Sequence, residues 1–159
     1  MGHVVVITHF VAPAAVCFDA ARDVSLHVQS ASFSRERLIA PGRLDGLLDL
    51  NDLVCFEGRH FGVTQRFCAR SVQLDRPRRF LDEMTRGPFK SMRHVHDFEE
   101  RDGVTAMTDT LDWQAPLGIL GTVADKLFLE RHMRTFVESK QRALKEIVEK
   151  RLSTNQPLR

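Results

Sequence analysis

In a strand, successive side chains point to opposite faces. Read that way, residues 104–113 put Thr105, Met107, Asp109, Leu111 and Trp113 on one face. Three of the five are large and apolar, so this face is assigned to the interior, and the carboxylate of Asp109 then needs a partner there. The same reading makes strands of His3 to Phe10, Leu53 to His60, Gly62 to Leu74, Arg79 to Arg86 and Phe89 to Glu99, several of them rich in β-branched residues. The second and third of these can pair as a hairpin around Arg59 to Gly62. The run DRPRR at 75–79 interrupts the sheet, because proline lacks a ladder donor, and Arg101-Asp102-Gly103 is a turn signal.

Helical spacing governs the two ends of the chain. Pro13 opens a short helical pattern over Ala14 to Ala21, where its missing N–H costs nothing, and Val24 to about Ala31 forms a second. The stretch around Gly42, Gly46 and LDGLLDLND is a loop. After Ala115, the residues Leu120, Val123, Leu127, Phe136, Val137, Leu144, Ile147 and Val148 follow one stripe, with Thr122 and Asp125 as a loose capping box at its start. A helix of about 30 residues would run about 45 Å. The expected fold is α+β: a curved antiparallel sheet of about seven strands wrapped around a long C-terminal helix, with two short helices after the first strand. One narrow helix leaves part of the concave face uncovered, so a pocket remains.

A length of 159 residues suits a single domain, residues 1–159. A hydrophobic content of 43% with 28% charged residues describes a globular chain, and a net charge of +2 offers no basic stripe for nucleic acid. No stretch reaches membrane length, so no membrane insertion is expected. Cys17, Cys55 and Cys68 lack CxxC spacing and are read as free thiols in a reducing compartment, which assigns the protein to the cytoplasm. Tyrosine is absent, so no phenol can serve as an acid here. The Gly118 and Gly121 region lacks phosphate-loop spacing, and no GxSxG-type nucleophile motif occurs. The mixed charges of the C-terminal segment, among them Lys140, Arg142, Lys145 and Glu149, are read as a solvated helix face.

Five stretches in order, VAPAAVCFDAARDVSLH (11–27), GRHFGV (58–63), RPRRFLDEMTRGPFKSMRHVHDFE (76–99), MTD (107–109) and APLGILGTVADKLFL (115–129), resemble the START-like superfamily. That superfamily is also called SRPBCC or Bet v 1-like, and has the helix-grip fold. The chain is similar to a bacterial group of ligand-binding SRPBCC-domain proteins, relatives of which carry the labels polyketide cyclase/dehydrase or lipid transport. The resemblance implies a hydrophobic cavity between sheet and helix, with Gly118 to Val123 as a gate. Because the superfamily hosts carriers, receptors and cyclases alike, the resemblance speaks for the fold before the function.

His94 and His96 lie two apart on one strand and point to the same face. We assign that face to the interior, since Met92 and Phe98 are better buried than Arg93 and Asp97; the opposite registry would bury Val95 instead. A His-x-His pair supplies two zinc ligands, and His60 and Asp109 are the nearest candidates to complete a set. Alternatively Asp109 orients one imidazole for acid/base work. Polar lining of a cavity is the third reading. The candidate ligand-binding residues are His60, Arg66, Phe89, Met92, His94, His96, Met107, Asp109, Trp113 and Leu120. The expected partner is a hydrophobic or amphipathic small molecule (a lipid, isoprenoid or polyketide-like compound), held by a carrier or sensor without metal or cofactor. The alternatives are a cyclase, dehydratase or hydrolase using His94 or His96 with Asp109, and an interaction module without ligand. An oligomer is compatible with the sequence but nothing in it argues for one.

Overall fold

The computed structural model describes residues 1–60, 62–115, 128–154 and 156. Its strands are β1 (Gly2–Phe10), β2 (Arg37–Leu38), β3 (Leu53–His60), β4 (Val63–Asp75), β5 (Arg79–Arg86), β6 (Ser91–Arg101) and β7 (Val104–Gln114). Helices α1 (Ala14–Arg22) and α2 (Val24–Ser30) and a 3₁₀ turn at Ser32–Ser34 connect β1 to β2, and α3 (Glu130–Ser153) follows β7. The strands form one antiparallel sheet in the order β1-β7-β6-β5-β4-β3-β2. The chain therefore crosses from one edge to the other through α1 and α2, then returns strand by strand until β7 pairs with β1.

Local chemistry sets the corners. Asp102 and Gly103 both have positive φ, at 51° and 77°, the backbone of a two-residue hairpin turn whose twist matches the strands it joins. Asp23 ends α1 in an extended conformation and starts α2, its carboxylate accepting from the N–H groups of Ser25 and Leu26 at 2.9 and 3.1 Å. At the sheet edge Gly2 is required by close approach: a Cβ there would meet the Trp113 indole at 2.1 Å.

Helix α3 is about 36 Å long at 1.5 Å per residue, and it rests on β1, α1 and α2. Its buried stripe is Val137, Lys140, Gln141, Leu144 and Val148. The expected helix start, with Leu120, Val123, Leu127, the Thr122–Asp125 cap and the Gly118 to Val123 gate, lies outside the described residues. Among the described residues, no helix is long and apolar enough to cross a membrane.

The core has three parts. Phe10, Phe18, Phe80, Phe98, Met107, Leu144 and Val148 pack beneath α1 and the end of α3. Val4, Val6, Leu111, Trp113 and Val137 pack beneath its beginning. Val24, Leu48, Val54, Phe56 and Ala69 pack under α2 at the far side.

One cysteine reading needs correction. Cys17 is free and buried, as expected, but Cys55 and Cys68 form a disulfide. They are direct partners across β3 and β4. The thiol content thus no longer argues for a reducing compartment.

Candidate functional site

The inner faces of β6 and β7 are those the alternation assigns. Met107, Asp109, Leu111 and Trp113 are buried, as are His96 and Phe98, while Arg93 and Asp97 reach outward to Glu83 and Arg79. The β6–β7 register sets Asp109 opposite His96 and Leu111 opposite His94. The Nε2 of His94 lies 3.0 Å from Asp109 Oδ1, and the Nδ1 of His96 lies 2.7 Å from the same oxygen. The second contact is close but not aligned for a hydrogen bond, and His96 Nδ1 has no hydrogen-bond partner among the described residues. The two imidazole centres are 3.9 Å apart, and Phe80 stacks on His96 from the other side at 4.0 Å.

Burial pushes His96 down, and the neighbouring His94 adds to this, so that despite Asp109 its pKa falls to about 3. Burial alone would raise Asp109, but the close His96 ring and the hydrogen bond from His94 hold it below the usual carboxylate range. At neutral pH, Asp109 is therefore the anion and His96 is uncharged. Asp82, on β5 beside His94, behaves oppositely: burial raises its pKa and favours the neutral acid. The ligand-capable atoms of His94, His96 and Asp109 all lie within 4.8 Å of one another, so these three could hold a divalent cation. They would supply three ligands, where structural zinc takes four.

A second polar group faces this one from across the interior. His27 on α2 donates through Nε2 to Glu36 Oε2 at 3.1 Å, and its Nδ1 lies 2.9 Å from Lys140 Nζ on α3. This fixes the tautomer: Nε2 carries the proton, and Nδ1 accepts from the lysine. His60 Nε2 is 3.7 Å from the other oxygen of Glu36, and His60 Nδ1 is 3.5 Å from His132 Nε2. Burial, with Lys140 alongside, lowers His27 to about 4. Burial would raise Glu36, yet the hydrogen bond from His27 and the nearby His60 ring bring it down to about 2. Burial also depresses Lys140, against the pull of Glu36, Asp109 and Asp82.

Between these groups lies a cavity of about 130 Å³. Its apolar wall includes Phe56, Phe67, Phe89, Met92, Leu111 and Phe136, and its polar wall includes His27, Glu36, His60, His94 and Lys140. It forms where the second and third parts of the core separate, because α3 lies toward β1 and leaves the inner faces of β3 and β4 uncovered. A smaller space of about 50 Å³ adjoins it, bordered by Asp82, Met92, His94, His96 and Lys140 among others.

No family model matches the sequence, and no curated protein matches it. Solved structures do. A crystal structure of a protein from Thermus thermophilus superposes with a TM-score of 0.76 at 18% identity, covering 92% of this chain and 96% of that one. Ginseng major latex-like protein 151 from Panax ginseng gives 0.66 at 14% identity, covering 91% and 95%. The protein Ara h 8.0201 gives 0.64 at 11% identity, covering 92% and 96%. The chain has the Bet v 1-like helix-grip fold.

Within that helix-grip fold the expected site residues divide. His60, Phe89, Met92 and His94 line the cavity, His96 borders the smaller space, and Asp109 stands behind the two histidines. Three expectations do not hold. Arg66 projects from the outer face, where its Nε donates to Glu57 at 2.8 Å; its neighbours Gln65 and Phe67 line the cavity instead. Met107 is sealed in the core with Phe10 and Phe18. Trp113 is buried in the cluster with Val4 and Val6 and does not border the cavity. Leu120 lies outside the described residues. Four site residues escape the sequence reading: His27, Glu36, Asp82 and Lys140. Lys140 in particular is not on a solvated face. It sits three residues after Val137 and four before Leu144, which is the spacing of the buried stripe, and only 6% of its surface is exposed.

Proposed function

We propose that the protein binds a small apolar or amphipathic molecule between its sheet and α3, as a carrier or sensor. The observation that carries this reading is an apolar cavity walled in part by mutually oriented ionisable groups, the buried Lys140 and the half-buried His27, Glu36, His60 and His94. Apolar walls with a few fixed polar groups are the usual form of a small-molecule site. The volume of about 130 Å³ is near that of an engineered core cavity of about 150 Å³ that takes benzene. An aromatic ring or short isoprenoid unit fits whole, and the chain of a lipid or polyketide would extend through the mouth. The polar head would meet His94, His27 and Lys140. Removing apolar surface from water contributes about 25 cal/mol per Å².

Calorimetric titration with naphthol, a flat apolar body with one hydroxyl, tests this. One saturable site with a negative heat-capacity change is expected. Leu111→Trp, which fills the cavity from β7, should weaken binding about tenfold or more while circular dichroism is unchanged. Equal binding by this variant would refute the assignment.

A second reading, a cyclase, dehydratase or hydrolase, is supported by one observation. His94 borders the cavity, and its hydrogen bond to Asp109 fixes Nε2 as the protonated nitrogen, leaving Nδ1 to accept a proton. Turnover abolished by His94→Gln, with ligand binding retained, would favour it over a carrier.

A further inference from the structure

We propose that Lys140 is a nucleophile that captures an aldehyde or ketone ligand as an imine. This rests on the cavity being a ligand site.

Helix α3 carries Lys140 on its buried stripe, and the side chain borders both the main cavity and the smaller space beside it. A buried lysine is ordinarily paired with a carboxylate. Among the described residues Lys140 forms no ion pair, and its hydrogen-bond partner is an imidazole nitrogen, Nδ1 of His27 at 2.9 Å. His27 uses its own proton on Glu36, so it can only accept from the lysine. An ammonium there would keep two further N–H groups without acceptors among the described residues. A neutral amine leaves one N–H and a lone pair, and the lone pair is what attack on a carbonyl carbon needs. Burial favours the same neutral form.

The surroundings supply the rest of the chemistry. Asp82 borders the smaller space with Lys140 and is half-buried there, and burial raises its pKa. Its Oδ1 has no partner among the described residues. Phe56, Phe67 and Met92 keep the region apolar, which slows hydrolysis of an imine.

The step balances without a redox partner. The Nζ lone pair forms a bond to the carbonyl carbon, and the carbonyl oxygen takes the proton of Asp82. The added nitrogen returns a proton to the Asp82 carboxylate. That proton then goes to the hydroxyl, which leaves as water as the nitrogen lone pair forms the C=N bond. The nitrogen's remaining proton returns to the Asp82 carboxylate, or is retained as the iminium beside it. One carbonyl and one amine give one imine and one water.

The test is reductive trapping of the whole protein with benzaldehyde and sodium cyanoborohydride, followed by peptide mapping. A benzyl group is expected on Lys140 about tenfold or more faster than on Lys90, Lys145 or Lys150. Asp82→Asn should slow labelling of Lys140 alone. Lys140→Arg should abolish that label while the others persist. Because the wild-type map is decisive in itself, the result does not depend on either variant folding. Labelling spread evenly over the exposed lysines, with Lys140 unmodified, would overturn the proposal. In that event a benzaldehyde titration without reductant separates two failures. Reversible binding lost in Leu111→Trp leaves the cavity reading intact and removes only the imine, whereas no binding removes both.

Discussion

Stability should start to fall as the pH drops below about 6.5, before most carboxylates titrate. His27 and His96 are the cause. Both are held neutral, His96 buried and His27 half-buried, with pKa values of about 4 for His27 and about 3 for His96, against 6.5 for an exposed histidine. Between those values the unfolded chain binds protons that the folded chain does not. Stability therefore rises with pH through this window and is lost as pH falls through it. Each histidine contributes a slope of up to about 1.4 kcal/mol per pH unit. Glu36 and Asp109 act in a second, lower window. Their depressed pKa values stabilise the fold above the unfolded carboxylate range, and that contribution is lost as pH falls toward the folded values. Urea unfolding from about pH 7 to about pH 4 should show the first decline, and His96→Gln should reduce its slope by about one proton. A stability that stays level until the carboxylates titrate would contradict the assignment of neutral histidines.

Asp109→Ala should destabilise the protein by about 1–3 kcal/mol, the usual cost of leaving a buried hydrogen-bond donor without its acceptor. Asp109 is 1% exposed and meets the imidazoles of both His94 and His96. Without it His94 loses its acceptor, and the two rings face each other beside a void. Asp109→Asn keeps the volume and one acceptor, so it should cost distinctly less. Chemical denaturation of the three proteins at neutral pH checks the ranking. A loss below about 1 kcal/mol for the alanine variant would mean that the network contributes little to stability.

These two groups of residues differ in how far the sequence reveals them. The His94–His96–Asp109 cluster is legible because strand alternation fixes faces, and Met92, Phe98, Leu111 and Trp113 say which face is inside. The disulfide was legible in principle. β3 and β4 turn between His60 and Val63, and stepping outward from that pair brings Cys55 opposite Cys68 and Glu57 opposite Arg66. A hairpin placed only loosely around Arg59 to Gly62 loses that register, and with it both the disulfide and the outward direction of Arg66.

Lys140 was hidden by its company. Its neighbours Glu138, Ser139, Gln141 and Arg142 are all polar or charged, and only the spacing from Val137 to Leu144 marks it as buried. His27 and Glu36 carry no local signal at all. One lies on a short helix and the other just before a two-residue edge strand, and tertiary packing alone brings them to Lys140. Met107 and Trp113 show the converse limit. Alternation identifies an inward side chain, but it cannot separate the wall of a cavity from solid core, because that depends on where α3 crosses the sheet.

The most direct test of the cavity uses the protein's own methionines. Of the five, Met92 and Met133 line the cavity, Met107 is fully buried elsewhere in the core, and Met1 is exposed. With carbon-13 methyl labels on methionine, naphthol should shift the Met92 and Met133 signals together and saturably through its ring current, leaving Met1 and Met107 in place. Saturable binding that leaves Met92 and Met133 unmoved would contradict a ligand site between the sheet and α3.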